Sequence, residues 1–87
     1  MKYSGQVYDV EFIITSKTKL LLSLHQGVTE LKSTLIVTDL VSQNAIMTVP
    51  MDIQSRKICV HPNNRKVSVI SMDQDYNRVE HVISLVF

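Results

Sequence analysis

The chain has 87 residues, of which 45% are hydrophobic and 20% charged, and its formal net charge is +1 at pH 7. A chain of this length supports one hydrophobic core, so we expect a single domain over residues 1–87. The hydrophobic fraction excludes a disordered chain, and the near-neutral charge excludes a protein that binds polyanions through its overall charge alone.

The cellular environment follows from the cysteine count and the N-terminal sequence. The single cysteine, Cys59, excludes an internal disulfide and favours a reducing, cytoplasmic location. The pattern of a signal peptide is absent, since acidic residues at positions 9 and 11 interrupt the N-terminal segment. All apolar stretches are shorter than the roughly 20 residues that a membrane-spanning helix requires. We therefore expect a cytoplasmic protein that does not enter a membrane.

Apolar residues at every second position predict two strands in the first third of the chain. The aromatic–aliphatic face of the first strand consists of Tyr8, Val10, Phe12 and Ile14. We expect this face to lie on the core and the opposite face, with Asp9 and Glu11, to lie in water. A solvated carboxylate pair lacks the burial that separates the pKa values of a catalytic acid and base. The alternating leucines of the second strand are Leu20, Leu22 and Leu24.

The segment from Val28 to Leu40 is ambiguous between strand and helix. Thr29 is able to cap a short helical turn, whereas the β-branched residues at positions 36–38 favour a strand. We prefer a strand over residues 31–40 and keep the helical turn as the alternative. A turn at residues 42–44 leads to a further strand over residues 45–49. Pro50 either ends this strand or lies at a sheet edge, because it has no amide hydrogen to donate.

Three short apolar runs, separated by two polar turns, fill the last third of the chain. The runs cover residues 57–60, 66–72 and 78–87, and the turns cover residues 61–64 and 74–77. β-branched residues in the runs and Pro, Asn and Asp in the breaks are typical of an antiparallel meander. With Gly5 and Gly27 as the only glycines, tight turns must rely on Asn and Asp. The sequence thus predicts an all-β fold, a small single-domain barrel or sandwich of about seven mainly antiparallel strands.

Catalytic motifs are absent from the sequence. Two distant glycines cannot form a phosphate-binding loop, and no nucleophile is placed on a sharp turn beside a base. Cys59 and His61 would share a strand face, and His81 lies on a later strand, but a zinc site needs three or four ligands. We prefer a small apolar role for Cys59 and surface positions for both histidines. We therefore expect no enzyme, no metal and no cofactor.

An acid-free basic segment, residues 54–66, offers a nucleic-acid interpretation. Its arginines and lysines would lie along both arms of one hairpin, and a tyrosine in the next turn would provide a stacking ring. The candidate contact residues are Arg56, Lys57, Arg65, Lys66 and Tyr76. The competing interpretation is that these cations protect a sheet edge from unwanted pairing, and the low aromatic content of 6% favours it.

The C-terminal strand is apolar on both faces after Glu80. Such a strand is usually buried on both sides, so either it is central in the fold or its outer face meets another molecule. The candidate interface residues are Val82, Ser84, Val86 and Phe87. A second copy of the chain is one candidate occupant, since homodimers are the commonest oligomers.

No motif in the chain identifies a family. We expect a non-enzymatic protein-binding module, such as a small adaptor, inhibitor or assembly subunit, whose partner is another protein. By association alone, the small size and the lack of motifs favour a bacterial or phage accessory protein. The alternative is a small β-barrel that binds nucleic acid through its basic hairpin.

Overall fold

The computed structural model describes residues 6–27, 32–51, 54–72, 75 and 77–86. These residues contain seven strands and no helix. The strands are β1 (Gln6–Ile14), β2 (Lys19–Gln26), β3 (Ser33–Asp39), β4 (Asn44–Pro50), β5 (Ser55–Val60), β6 (Lys66–Met72) and β7 (Arg78–Ser84). Every paired strand runs antiparallel to its neighbour. The prediction of an all-β chain of about seven antiparallel strands is confirmed.

The strands form two sheets in which each strand pairs with the next one in the chain. The first sheet has the order β1-β2-β3-β4 and the second has the order β5-β6-β7. The second sheet is the meander predicted from the last third of the sequence. The described strands do not close into a barrel, because β4 and β7 each pair with one neighbour only.

The ambiguous segment of the sequence contains a strand. β3 covers Ser33–Asp39, and its buried residues alternate along the strand, with Leu35 and Val37 in the core. The preference for a strand is therefore confirmed, and the alternative at Thr29 lies outside the described residues.

In the turns, Asn64 has a φ of 58°, as expected for Asn, and Gln43 has a φ of 62° without being Asn or Asp.

One cluster of buried side chains contains residues from both sheets. β2 supplies the alternating leucines, β3 supplies Leu35 and Val37, and β6 supplies Val67 and Val69. The cluster consists of Ile13, Leu20, Leu22, Leu24, Leu35, Val37, Met51, Ile58, Val67, Val69 and Leu85. Burial of such side chains stabilises a fold by about 1.5–3 kcal/mol each.

β1 presents the face opposite to the one we expected on the core. Ile13 is 1% exposed and belongs to the core cluster, whereas Phe12 is 54% exposed and Ile14 is 64% exposed. Asp9 and Glu11, expected in water, lie on the side of Ile13 and are half-buried. The expected orientation of β1 is therefore wrong. Alternation fixes which residues share a face, but the neighbouring elements decide which face is covered.

Among the described residues, hydrogen bonds join β5 to two strands of the first sheet. Asp9 on β1 accepts a hydrogen bond at Oδ2 from the backbone N–H of Ile58 on β5, with an N···O distance of 2.8 Å. At the first residue of β5, Ser33 Oγ of β3 accepts the N–H of Ser55 at 2.7 Å and donates to the Ser55 carbonyl at 3.2 Å. Because Ile58, Ser33 and Ser55 are buried, these bonds satisfy groups that water cannot reach.

The C-terminal strand β7 lies at an edge of its sheet. The central-strand alternative is therefore wrong. Leu85 is buried on one side, and Val82 and Val86 are exposed on the other. The apolar character of both faces reflects one face on the core and one face in solvent.

Candidate functional site

Three large apolar side chains form an exposed row on β1, which we call the outer row. It consists of Val10, Phe12 and Ile14. Their cross-strand partners on β2 are Ser23, Leu21 and Lys19, respectively. Directly opposite residues of an antiparallel pair share a face, so the row and these partners lie on the side of the first sheet that faces away from the core. Leu21 is half-buried, which continues the apolar surface from β1 onto β2.

A shallow concavity of about 380 Å³ adjoins the outer row on the same face of the sheet. Its lining residues come from all four strands and one turn, and they are Val7, Ser23, His25, Ile36, Thr38, Gln43, Ala45 and Thr48. His25 Nε2 lies 2.8 Å from Ser23 Oγ. Burial lowers the pKa of His25 from its ordinary value, because the low-polarity surroundings disfavour the imidazolium. The concavity is therefore lined by side chains that are uncharged near pH 7, some apolar and some polar.

A second feature is a hydrogen-bonded chain on the outer face of the second sheet. Ser68 Oγ donates to Glu80 Oε1 at 2.6 Å and lies 2.7 Å from His61 Nε2. The Ser68 hydroxyl has one hydrogen, and it donates this hydrogen to the Glu80 carboxylate. The hydroxyl oxygen must therefore accept from His61, which donates at Nε2. Ser68 is 3% exposed, and a nucleophile has to reach its substrate. The chain therefore fixes the side chains of Ser68 on β6, Glu80 on β7 and His61 just after β5, and it does not present a reactive hydroxyl.

The three residues considered for a metal do not all lie on one face of the sheet. Cys59 pairs with Ser68 across β5 and β6, on the face of the hydrogen-bonded chain. His81 instead pairs with buried Val69 and therefore belongs to the opposite face. The described residues contain no group of three or more His, Cys, Asp or Glu side chains that is placed to hold a metal ion.

The basic residues of the predicted ribbon separate into two pairs. Arg65 and Lys66 lie at the β5–β6 turn, and Arg56 and Lys57 lie at the start of β5. Because Val60 lies opposite Val67, Lys66 lies opposite position 61, which is four residues from Lys57. The two groups of basic residues are therefore about 13 Å apart along the strand. The Arg56 guanidinium lies 4.8 Å from the centroid of the Tyr8 ring, in a cation–π contact with β1. Tyr76, the proposed stacking residue, lies outside the described residues.

The candidate interface residues of the C-terminal strand lie in two different places. Val82 and Ser84 are exposed on β7, and Val86 lies beyond the strand beside the β3–β4 turn, where it lines a concavity with Val41 and Ile46. Phe87 lies outside the described residues. The sequence reasoning included these valines but missed the outer row, because it placed the apolar face of β1 in the core.

Comparison with known proteins found no match to a family model, to a curated protein sequence or to a solved structure. Within the described ranges, the structure contains no helix that is long and apolar enough to cross a membrane. Any proposal on function therefore depends on the residues and contacts described above.

Proposed function

We propose that this protein is a non-enzymatic protein-binding module that docks a partner protein on the outer row. The observation that carries the proposal is the exposure of Val10, Phe12 and Ile14 at alternate positions of one strand face. Contiguous exposed apolar side chains commonly mark interaction sites, whereas single ones are ordinary.

The apolar area of the row is sufficient to contribute to binding. A phenylalanine side chain buries about 150–250 Å² when fully covered. With Phe12 54% exposed, a partner would cover about 100 Å² of its surface, equivalent to about 2–3 kcal/mol of transfer free energy. Its neighbours Val10 and Ile14 would add smaller amounts. Phe12 lies at the centre of the row, and aromatic residues including phenylalanine are enriched at the core of protein interfaces.

The border of the row supports the same function. Lys19 lies opposite Ile14 and is exposed, so a charged group borders the apolar centre at that end. Protein interfaces have this organisation, with an apolar core and a polar rim. A second copy of the chain is one partner that this surface would accept, and a homodimer is then the functional form.

Three further expectations belong to the same proposal. The two sheets share one cluster of buried side chains, which supports a small sandwich rather than a barrel. The buried Ser68 supports a non-enzymatic role, since its hydroxyl is held by two side chains. The free thiol of Cys59 supports a reducing, cytoplasmic environment, where thiols remain unpaired.

The test is capture of a partner from cells that naturally produce the protein. Tagged wild-type protein is compared with Phe12→Asp and with Val82→Asp, a matched change at an exposed valine of the other sheet. We expect one protein to be retained by the wild type and by Val82→Asp and to be lost with Phe12→Asp, while circular dichroism shows that all three fold. Light scattering of the purified proteins identifies the case in which the partner is a second copy.

Two results would contradict the proposal. Loss of the partner with Val82→Asp but not with Phe12→Asp would place the interface on β7. Recovery of nucleic acid, with loss after Lys57→Asp, would instead support the basic hairpin as the contact surface.

A further inference from the structure

Turns from both sheets meet at one end of the molecule. The β1–β2 turn and the β5–β6 turn line a polar concavity of about 210 Å³, formed by Thr15, Ser16, Lys17, Thr18, Asn63, Asn64 and Arg65. An apolar concavity of about 470 Å³ adjoins it and also contains Lys17 and Thr18. We call these two concavities together the turn-end cleft. The apolar part is within the size range, about 300–1,000 Å³, in which proteins hold ligands.

The charge of the turn-end cleft is mainly positive. Lys17 and Arg65 line its polar part, and Lys19 lines its apolar part together with Asp39. Asp39 already accepts the N–H of Val41 at 2.9 Å, so its carboxylate is engaged in the β3–β4 turn. Cations drawn from two sheets therefore converge on one polar concavity, where an anionic group would be attracted to both.

The apolar part of the cleft is formed by side chains with unusually high exposure. Val41 is 78% exposed and Val86 is 75% exposed, and Ile46 lies in the same concavity. Apolar side chains this exposed contribute little to the stability of the free protein. They would gain transfer free energy if an aliphatic group covered them.

We propose that the turn-end cleft binds a peptide segment of a partner protein in which acidic residues are followed closely by aliphatic residues. The carboxylates lie between Lys17 and Arg65, and the aliphatic side chains cover Val41, Ile46 and Val86. A guanidinium has five N–H donors, so Arg65 binds a carboxylate while keeping its contacts within the protein. This site goes beyond the outer row, because it lies at the turns of the fold rather than on the face of β1.

The charge distribution also fixes the orientation of the segment. Lys19 and Asp39 both line the apolar part of the cleft, so their opposite charges offset each other there. The acidic residues must therefore enter the polar part, beside Lys17 and Arg65. An apolar segment without acids would lose the charge contacts, and an acidic segment without aliphatic residues would leave the apolar part empty.

The test is a titration of the full chain, labelled with nitrogen-15, with the peptide acetyl-Asp-Glu-Ser-Leu-Leu-amide. Amide shifts are followed by nuclear magnetic resonance up to about 5 mM peptide, a range that detects millimolar affinity. We expect shifts at the β1–β2, β3–β4 and β5–β6 turns. Lys17→Glu should weaken binding at least about tenfold, because it replaces an attraction by a repulsion. The matched control Lys57→Glu, at the other end of β5, should leave binding unchanged.

Two control peptides separate the parts of the proposal. Acetyl-Asn-Gln-Ser-Leu-Leu-amide lacks the charge, and acetyl-Asp-Glu-Ser-Ser-Ser-amide lacks the aliphatic side chains, and both should bind at least about tenfold more weakly. Three results would overturn the proposal: no shifts with acetyl-Asp-Glu-Ser-Leu-Leu-amide, equal binding of all three peptides, or tighter binding of octanoate than of that peptide. Phe12→Asp should leave this titration unchanged, so failure here is distinguishable from failure of the outer row.

Discussion

The contact between Asp9 and Ile58 gives the sharpest test of the arrangement of β1. The Asp9 carboxylate accepts the Ile58 N–H at Oδ2 and the Val10 N–H at Oδ1, at 2.8 and 2.9 Å. Ile58 is 1% exposed, so water reaches its amide poorly in place of the carboxylate. Asp9→Ala should therefore leave a buried donor without a partner.

The size of the effect follows from these two bonds. An unsatisfied buried donor costs about 1–3 kcal/mol, and a hydrogen bond to a charged group contributes about 1.5–3 kcal/mol. The bond to Val10 is exposed and contributes less. We expect Asp9→Ala to lower the free energy of unfolding by about 2–3 kcal/mol. Asp9→Asn keeps one acceptor oxygen and should cost about half as much.

The assay is urea denaturation followed by circular dichroism, with Glu11→Ala as the matched control. Glu11 lies on the same face of β1 and is also half-buried. For a domain of this size, 2 kcal/mol corresponds to a fall in Tm of about 8–16 °C. The free energies of unfolding of Asp9→Ala and Glu11→Ala should therefore differ. A difference below about 0.5 kcal/mol, which is the normal scatter of surface substitutions, would show that the Asp9 carboxylate does not join the two sheets.

Three further results are expected. In urea denaturation, Ile13→Ala should lower the free energy of unfolding by about 2–5 kcal/mol and Phe12→Ser by less than about 1 kcal/mol. The reverse order would show that Phe12, and not Ile13, lies in the core. Ser33→Ala should cost about 1–3 kcal/mol by the same assay, because the buried Ser55 N–H loses its acceptor; no change would contradict that bond. Burial lowers the pKa of His25 from 6.5, so the unfolded chain binds the proton first as the pH falls. Stability should be level above that pH and decline below it, and His25→Gln should remove part of the decline; an identical pH profile would refute this.

The number and type of strands were predictable from the sequence because local signals agree. β-branched residues and polar turns define β5, β6 and β7 without reference to the rest of the chain. In β2, Leu20, Leu22 and Leu24 alternate with residues that are mainly polar, and all three are buried. A strand with a single apolar face has one way to meet a core.

The orientation of β1 was not predictable from its own residues. Both of its faces contain apolar side chains, with Phe12 on one side and Ile13 on the other, so periodicity does not choose between them. The choice depends on β5, distant in sequence, whose Ile58 amide meets Asp9. The outer row was missed for this reason, since its exposure follows from that long-range contact.

The turn-end cleft was beyond sequence reasoning for a similar reason. Arg65 and Arg56 were grouped because both lie on one predicted hairpin, Arg65 near its tip and Arg56 near its base, and this local pattern does not show which other turn lies beside the tip. The fold instead brings Arg65 beside Lys17, which lies 48 positions earlier in the chain. Pairings of this kind between turns of different sheets are set by tertiary packing, which a single sequence does not show.

Photo-crosslinking at position 12 tests the central claim most directly. A benzophenone-bearing amino acid replaces Phe12 in cells that naturally produce the protein, and the same amino acid replaces Val82 in a control. The account predicts a protein adduct from position 12, either another copy of the chain or one other protein, and none from position 82. Adducts with nucleic acid, or adducts from position 82 alone, would contradict the outer row as the docking surface.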